Sequence, residues 1–167
     1  MPIREPNNPF DNFKDSDRHF IWQRLIIGDS EAFAAGDWTM IEDDFDVDRF
    51  EGLRAMNSNN PDDWQIIFPT LASYRESWLV ASVEFRKKKF VGLTCLEAVY
   101  ARCRINRIVI NEDRAIAIKK FSGTLECEDG SIISGDRQTV YRLHRMNDQW
   151  KIVGFVGFLP YSPSPAK

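Results

Sequence analysis

A β-hairpin near the end of the chain decides the fold, and its sequence is Thr139-Val140-Tyr141-Arg142-Leu143-His144-Arg145-Met146-Asn147-Asp148-Gln149-Trp150-Lys151-Ile152. Apolar and polar residues alternate on both sides of Asn147-Asp148, a pair typical of a tight turn. Opposite residues of a hairpin share one side of the sheet, so Trp150 lies on the side of Leu143 and Tyr141. We expect this more apolar side to face the helices.

The rest of the C-terminal half predicts further strands. From Leu93 onward the apolar residues recur at every second position, and turn signals stand at Glu112-Asp113 and Asp129-Gly130. With the last hairpin, these strands predict a four-stranded antiparallel meander. Continued through the sheet, this pairing places on the helix-facing side Arg137, Thr139, Ile118, Lys120, Ser122, Val99, Ala101, Cys103 and Glu97.

Helices are predicted at the start of the N-terminal half. Asp17 caps a first helix and Gly36 ends it. Residues three and four positions apart share a helix face, and the apolar face of this helix consists of Trp22, Leu25, Ile26 and Phe33. Asp37 then caps a short second helix.

The middle of the chain predicts a short strand within residues 49–56 and then more helix. Asn60 and Pro61 give a strong start signal, since proline is favoured at the first helical position. Pro69 interrupts this segment. The long helix that follows carries one apolar stripe, which consists of Leu71, Tyr74, Trp78, Ala81 and Phe85.

Length and composition predict a single α+β domain. The chain has 167 residues, of which 43% are hydrophobic, which is enough for one core. Helices come first and a curled sheet follows, which is the order of an α+β fold. We therefore predict an N-terminal arm over residues 1–16, one domain over residues 17–160 and a C-terminal tail over residues 161–167.

Charge and cysteine content exclude several classes of function. A net charge of −3 with interleaved signs provides no basic surface for nucleic acid. Cys95, Cys103 and Cys127 form no CxxC pair, which argues against a disulfide framework or a zinc site. No apolar run is long enough for a signal peptide or membrane helix, so we expect a cytoplasmic protein that does not contact membranes. We find no phosphate loop or calcium loop and expect neither cofactor nor metal.

Three stretches carry a resemblance to a known superfamily: Ala35-Gly36-Asp37-Trp38, Phe50-Glu51-Gly52 and the last hairpin. Over roughly residues 17–160 the chain resembles the nuclear transport factor 2-like superfamily, which is also called SnoaL-like or ketosteroid isomerase-like and has a cystatin-like fold. The resemblance implies N-terminal helices packed in the concave face of a strongly bent, mainly antiparallel sheet, with a pocket inside this cone. It also implies a homodimer through the outer sheet face.

The resemblance leaves the activity open, because the superfamily includes isomerases, dehydratases, cyclases, hydrolases and non-enzymatic carriers. Its isomerase pattern has a tyrosine seven residues before the Gly-Asp turn, where this chain has Asp29. The aspartate base of that pattern falls near Gly52 or Leu53, and Glu51 is the nearest carboxylate. The dehydratases use two inward histidines, whereas His19 and His144 stand near element ends.

Asp29, Glu51 and Tyr141 are the candidate catalytic residues. Asp29 falls on the apolar stripe of the first helix, where lost hydration raises the proton affinity of a carboxyl group, as a general acid or base requires. The alternative is that Asp29 caps a helix continuation after Gly28. Glu51 is a second candidate base, or an exposed strand residue. Tyr141 could donate a hydrogen bond to a substrate oxygen, or could simply belong to the core.

The candidate ligand-binding residues are two inward cations and three aromatic residues of the helix stripes: Lys120, Arg137, Trp22, Tyr74 and Trp78. Charges inside a cone are costly unless they are paired or meet a charged ligand. An ion pair with Glu97, or extension of the charged end to the rim, would explain the two cations without a ligand.

Two functions remain open from the sequence. The first is a protein that binds a small molecule in its pocket. If this protein is an enzyme, it is a cofactor-free isomerase, dehydratase or cyclase that acts on an apolar or aromatic compound. The second is a non-catalytic ligand carrier, or a scaffold subunit similar to the small subunits of ring-hydroxylating dioxygenases.

Overall fold

The computed structural model describes residues 4–162 of the chain, and its helices are short except for one. The helical segments are α1 (Ser16–Trp22), a π-type segment (Gln23–Gly28), α2 (Asp29–Ala35), α3 (Leu71–Arg86) and α4 (Cys95–Arg102). Short 3₁₀ turns lie at Trp38–Met40, Glu42–Asp44 and Pro61–Asp63. The first three helical segments follow one another without a break, so Asp29 lies inside a continuous helical run.

The strands form one large mixed sheet and one small hairpin. In chain order they are β1 (Glu51–Arg54), β2 (Gln65–Phe68), β3 (Cys103–Asn111), β4 (Arg114–Phe121), β5 (Leu125–Glu126), β6 (Ile132–Ile133), β7 (Arg137–Met146) and β8 (Gln149–Pro160). The large sheet has the order β2-β1-β8-β7-β4-β3, and β5 pairs with β6 alone. Only the β1–β8 pair of the large sheet is parallel. The predicted α+β fold class is confirmed.

The last hairpin forms as predicted. Met146 pairs with Gln149 across the turn, and Tyr141, Leu143 and Trp150 are all buried on the inner side of the sheet. Phe155 was predicted on the outer side and is also buried in the core, because the register shifts between Arg142 and Leu143. One extra residue in a strand reverses the side of every residue beyond it.

The four strands of the predicted antiparallel meander are β3, β4, β7 and β8, but the first of them begins at Cys103 rather than near Leu93, because residues 95–102 form α4. The hydroxyl of Thr94 accepts from the Glu97 backbone N–H, and the Glu97 carboxylate accepts from the Thr94 N–H, which together cap the helix. Ala98 and Arg102 are both buried, as is Tyr100 between them, so burial in this helix alternates as in a strand. Glu97 therefore caps a helix, and within residues 4–162 it forms no ion pair with a cation of the sheet.

The predicted register of β4 is also wrong by one residue. Thr139 pairs directly with Lys119, so Lys119 rather than Lys120 shares the inner side. The small residue Ala117 is inside and fully buried, whereas Ile116 is outside and 43% exposed. This order reverses the usual rule that the larger apolar residue of a strand faces the core.

The N-terminal predictions hold in part. Gly36 ends α2 with a left-handed backbone, φ +71°, as predicted, and Asp37 caps the following turn through the Thr39 N–H. Asp17 lies within α1 and accepts a hydrogen bond from the indole N–H of Trp150, so it is not the predicted cap. Pro61 begins a single 3₁₀ turn rather than a longer helix.

The core lies between the helices and the inner side of the large sheet. It includes the predicted apolar face of the first helix, with Trp22, Leu25 and Ile26 buried. In the described part of the predicted arm, Asn8 donates to the His19 carbonyl and Phe10 packs against the core. The predicted tail lies outside the described residues beyond position 162. None of the helices in the described part of the chain has the length and apolar character needed to cross a bilayer.

Candidate active site

A cavity of about 220 Å³ lies between the helices and the inner side of the sheet. An apolar cavity of about 150 Å³ can hold a benzene molecule, so this cavity fits a ligand with a single ring and a substituent. Its wall is largely apolar, with Phe33, Trp78, Ala81, Phe85, Val99 and Phe155 among the lining residues. The charged or phenolic residues that line it are Asp29, Arg54, Tyr74, Arg102, Lys119, Arg137 and Tyr141.

Strand β7 gives the cavity its direction. Tyr141, Thr139 and Arg137 are two residues apart and line the cavity together, as the alternation of a strand requires. Tyr141 and Thr139 are buried, whereas Arg137 is exposed. We call the Tyr141 side the inner end of the cavity and the Arg137 side the outer end.

An ion pair stands at the inner end. The Nζ atom of Lys119 lies 2.7 Å from Oδ2 of Asp29, and it also donates to the Leu25 carbonyl at 2.7 Å. The Lys119 side chain is 1% exposed and that of Asp29 is 26% exposed. An ammonium group has three N–H donors, so one donor of Lys119 is left for a group inside the cavity.

The ion pair determines the charge of Lys119. Burial alone would lower the pKa of this ammonium group, but the charge of Asp29, the neighbouring Cys103 and the hydrogen bond to Asp29 together outweigh burial and raise the pKa above its ordinary value. Lys119 is therefore a cation at neutral pH. A buried cation next to a carboxylate can stabilise negative charge that develops on a substrate oxygen.

Two tyrosines complete the inner end. Burial raises the pKa of Tyr141 well above its ordinary value, and the charge of Asp29 adds to this effect. Burial likewise raises the pKa of Tyr74, with a further contribution from Tyr141. Both phenols are therefore neutral hydrogen-bond donors over the whole physiological pH range.

Three arginines line the cavity together with the aromatic ring of Phe158. The guanidinium carbon of Arg54 lies 4.3 Å from the centre of this ring, and that of Arg137 lies 3.9 Å from it. Arg102 is buried and donates to the Gly135 carbonyl. The outer end of the cavity is therefore strongly positive.

The structure places only some of the predicted site residues at the cavity. Asp29, Tyr141, Tyr74, Trp78 and Arg137 line it. The carboxylate of Asp29 binds Lys119, and no capping hydrogen bond to it occurs among residues 4–162, which contradicts the alternative of a helix cap.

The other predicted site residues lie elsewhere. Trp22 is 3% exposed in the core and does not line the cavity. Glu51 begins β1 opposite Gly154 and is also absent from the lining. Lys120 points away from the cavity, with Nζ 4.6 Å from the centre of the Tyr161 ring.

Sequence reasoning missed Lys119, Arg54 and Arg102. The sequence analysis placed Lys120 inside instead of Lys119 because the predicted register of β4 was wrong by one residue. No short turn connects β4 to β7, so the sequence contains no turn that determines this register. Arg102 was assigned to a strand that is a helix. Arg54 lies in the strand that was predicted within residues 49–56, and this position was the only sequence signal for it. The structure shows that this strand pairs with β8.

Comparisons with known proteins support the fold. No family model and no curated protein matches the chain in sequence. A nuclear transport factor 2-like superfamily protein from Salmonella enterica serovar Typhimurium matches with a TM-score of 0.51 and 14% identity, over 89% of this chain and 96% of that chain. A nuclear transport factor 2-like protein of unknown function from Pseudomonas putida matches with a TM-score of 0.51 and 13% identity, over 80% of each chain.

A conserved protein from Planctomyces limnophilus is similar to the same degree, with a TM-score of 0.51 and 13% identity over 84% of this chain and 94% of that chain. The chain therefore has the nuclear transport factor 2-like fold, as its sequence predicted. At this level of identity the likeness establishes the cone-like α+β architecture and leaves the activity to the residues of the cavity.

Proposed function

We propose that this protein is an enzyme that binds a small apolar or aromatic compound and moves a proton within it without a cofactor. The observation that carries the proposal is the Asp29–Lys119 ion pair at 2.7 Å, which lines one cavity together with Tyr74 and Tyr141. This set combines a carboxylate, a cation and two neutral phenols. General acid–base catalysis needs these groups within hydrogen-bond reach of the substrate.

Asp29 is the proposed base. Oδ2 binds Lys119, and among the described residues Oδ1 has no hydrogen bond, so Oδ1 can accept a proton from a C–H group beside a carbonyl. The electron pair of that C–H bond then moves onto the carbonyl oxygen as an enolate. In a β,γ-unsaturated ketone the negative charge extends over the C=C bond as a dienolate. Return of the same proton to the γ-carbon then moves the C=C bond into conjugation with the carbonyl and completes an isomerisation, with no change in the oxidation state of the substrate or the protein.

The third N–H of Lys119 and the hydroxyls of Tyr74 and Tyr141 are the proposed donors to the enolate oxygen. Donors held in place inside a water-poor site stabilise such an oxyanion more than water does. Glu51, the other carboxylate predicted as a base, is not required in this scheme because it does not line the cavity.

Deuterium exchange tests the proposal without knowledge of the natural substrate. The protein is incubated in D₂O with a panel of small cyclic and aromatic ketones, and loss of the C–H signal is followed by NMR. We expect catalysed exchange for at least one compound and a loss of about 100-fold or more in Asp29→Asn, a typical contribution of a general base. Exchange at the buffer rate throughout the panel, or equal rates for both proteins, would contradict the proposal.

A ligand carrier is the second candidate function. The observation in its favour is that Lys119 already binds the Asp29 carboxylate, as in an ion pair with a purely structural role. A carrier would retain a small molecule through purification, which native mass spectrometry detects, and would show no exchange with any ketone. A scaffold subunit would instead bind another chain through the outer sheet face.

We also propose that the protein forms a homodimer through the outer sheet face and that it is cytoplasmic. The outer side of the sheet exposes the apolar residues Val109 and Ile116, which pair across β3 and β4. Cys95, Cys103 and Cys127 are free thiols, which supports a reducing compartment.

A further inference from the structure

The outer end of the cavity contains positive charge that the protein does not neutralise. Arg54, Arg102 and Arg137 all line the cavity, and none of them forms an ion pair within residues 4–162. Other arginines of the chain do have acidic partners, such as Arg24 with Asp44 at 2.8 Å. Arg54, Arg102 and Arg137 therefore bring three cations without an acidic partner to the wall of one cavity.

Arg102 shows the imbalance most clearly. This residue is 8% exposed, and its Nε atom is buried without a hydrogen-bond partner among the described residues. An unsatisfied buried donor is costly, and the cost is larger for a charged group. Since Arg102 lines the cavity, an acceptor placed there could satisfy it.

Phe158 holds two of the like charges close together. Its ring contacts both Arg54 and Arg137, and cations over an aromatic face are attracted by the electrons of the ring. Phe158 has a positive φ of 40°, a strained conformation for a side chain of this kind. Such strain persists only where surrounding structure imposes it, and it often accompanies functional sites.

Repulsion among the arginines is also visible in their ionisation. Although much of the Arg137 side chain is exposed, its guanidinium group is partly desolvated at the cavity, which lowers its pKa, and the positive charges of Arg102 and Arg54 lower it further. A negatively charged ligand would reverse this effect. Arginine is suited to that role because its planar group can form two parallel hydrogen bonds with a carboxylate.

We propose that Arg54, Arg102 and Arg137 bind the carboxylate group of a small organic acid whose apolar body occupies the cavity. This inference deepens the proposed function by naming the class of substrate. The cavity volume of about 220 Å³ limits the body to about one ring. Phe33, Trp78 and Phe85 provide the apolar surface that such a ring requires.

The geometry separates this carboxylate from the site of proton transfer. Arg137 and Tyr141 are four residues apart on β7, or about 13 Å along the strand. Lys119 pairs with Thr139, halfway between them. The carboxylate therefore positions the ligand, and the reacting carbon lies at the far end near Asp29.

Matched neutral compounds test the inference directly. Benzoate, phenylacetate and cyclohexanecarboxylate are titrated against the protein by ligand-detected NMR, each beside its uncharged amide. We expect each bound acid to have an affinity about ten- to hundredfold above that of its amide, because a hydrogen bond to a charged group is lost in the amide. Equal affinity of acid and amide, or no binding of any probe, would overturn the inference.

Variants of the arginines locate the binding site. Arg137→Gln is the principal variant, because Arg137 is exposed and its loss should leave the fold intact, as checked by circular dichroism. We expect this variant to lose most of the preference for acids. The matched control is Arg107→Gln, an exposed arginine of β3 outside the cavity lining, which should retain it. Loss of the preference in both variants, or in neither, would overturn the inference.

The two proposals fail in different ways. Asp29→Asn should retain the preference for acids while losing deuterium exchange. If the wild-type protein shows exchange but binds acids and amides equally, only the carboxylate site is wrong. If it prefers acids but shows no exchange with any compound, only the proposed proton transfer is wrong.

Discussion

The two ends of the cavity treat positive charge in opposite ways. At the inner end, Lys119 is almost fully buried and binds Asp29 at 2.7 Å. At the outer end, Arg54 and Arg137 share the ring of Phe158 and have no carboxylate partner in the described part of the chain. The inner charge is neutralised by the fold, and the outer charge is left for another molecule.

Burial explains the difference between Lys119 and two of the arginines, Arg54 and Arg137, whereas Arg102 is buried and donates to the Gly135 carbonyl. A fully buried ammonium group loses so much hydration that it requires a partner within the protein. Arg137 remains exposed and Arg54 is half-buried, so water solvates part of their charge in the absence of a ligand. The fold therefore tolerates the unpaired charges of Arg54 and Arg137 when no ligand is bound, and the outer end of the cavity favours a ligand with a negative charge.

The largest expected effect is the loss of the inner carboxylate. Asp29→Asn leaves Lys119 buried without a negative partner, and we expect it to lower the free energy of unfolding by about 3 kcal/mol. Urea unfolding at pH 7 measures this change. The double variant Asp29→Asn/Lys119→Met should recover part of the loss, because it removes the unpaired charge as well.

A surface ion pair provides the control. Glu84 and Lys87 lie 2.8 Å apart and both are highly exposed. Glu84→Gln should cost roughly 0.5 kcal/mol or less, as exposed pairs contribute little. A similar cost for Asp29→Asn and Glu84→Gln would show that burial does not distinguish the inner end.

The contribution of Lys119 to the free energy of unfolding should depend on pH with opposite sign in Asp29→Asn and in the wild type. The wild-type pKa of Lys119 is raised, so its contribution is present below the unfolded pKa and is lost as pH rises through the folded pKa. Without Asp29, burial should lower this pKa, and the stability of the variant should increase toward alkaline pH. Urea unfolding from pH 7 to pH 10 should therefore show the difference between the two proteins shrinking. A constant difference would contradict a buried, charged Lys119.

The outer end should respond weakly to the same kind of change. Arg137→Gln removes one of three mutually repelling cations, and we expect unchanged stability or a gain of up to about 0.5 kcal/mol. Thermal unfolding at low and high salt measures this change in stability. The gain should disappear in high salt because the repulsion among the arginines is screened. A loss of more than 1 kcal/mol would indicate that Arg137 supports the fold rather than a ligand.

The smallest expected effect concerns the outer side of the sheet. Ile116→Glu places a charge among exposed apolar residues, and we expect the monomer to remain folded while any dimer dissociates. Light scattering after size exclusion measures the mass of both proteins. A monomeric wild type would contradict the proposed homodimer, but it would not bear on the proposals about the cavity.

The sequence predicted the fold because its signals are local. The Asn147-Asp148 turn determines the pairing of Met146 with Gln149, and the αL conformation of Gly36 marks the end of α2. The stripe of α3 follows the helical period, and Tyr74 and Trp78 on this stripe reach the cavity. Each of these features depends on a few neighbouring residues.

The cavity was predicted less well because its charged residues depend on distant pairing. β5 and β6 lie between β4 and β7, so no turn tells whether Lys119 or Lys120 faces inward. The inner position of Ala117 and the outer position of Ile116 gave a misleading apolar pattern. Arg102 was hidden by a helix that alternates in burial like a strand.

A crystal structure of the protein soaked with 4-bromobenzoate tests the central claim most directly, because anomalous scattering from bromine fixes the direction of the ligand. We expect the carboxylate within hydrogen-bond distance of Arg54, Arg102 and Arg137, with the bromine atom toward Lys119 and Tyr141. A carboxylate bound at Lys119 with bromine at the arginines, or a ligand found only outside the cavity, would contradict the account.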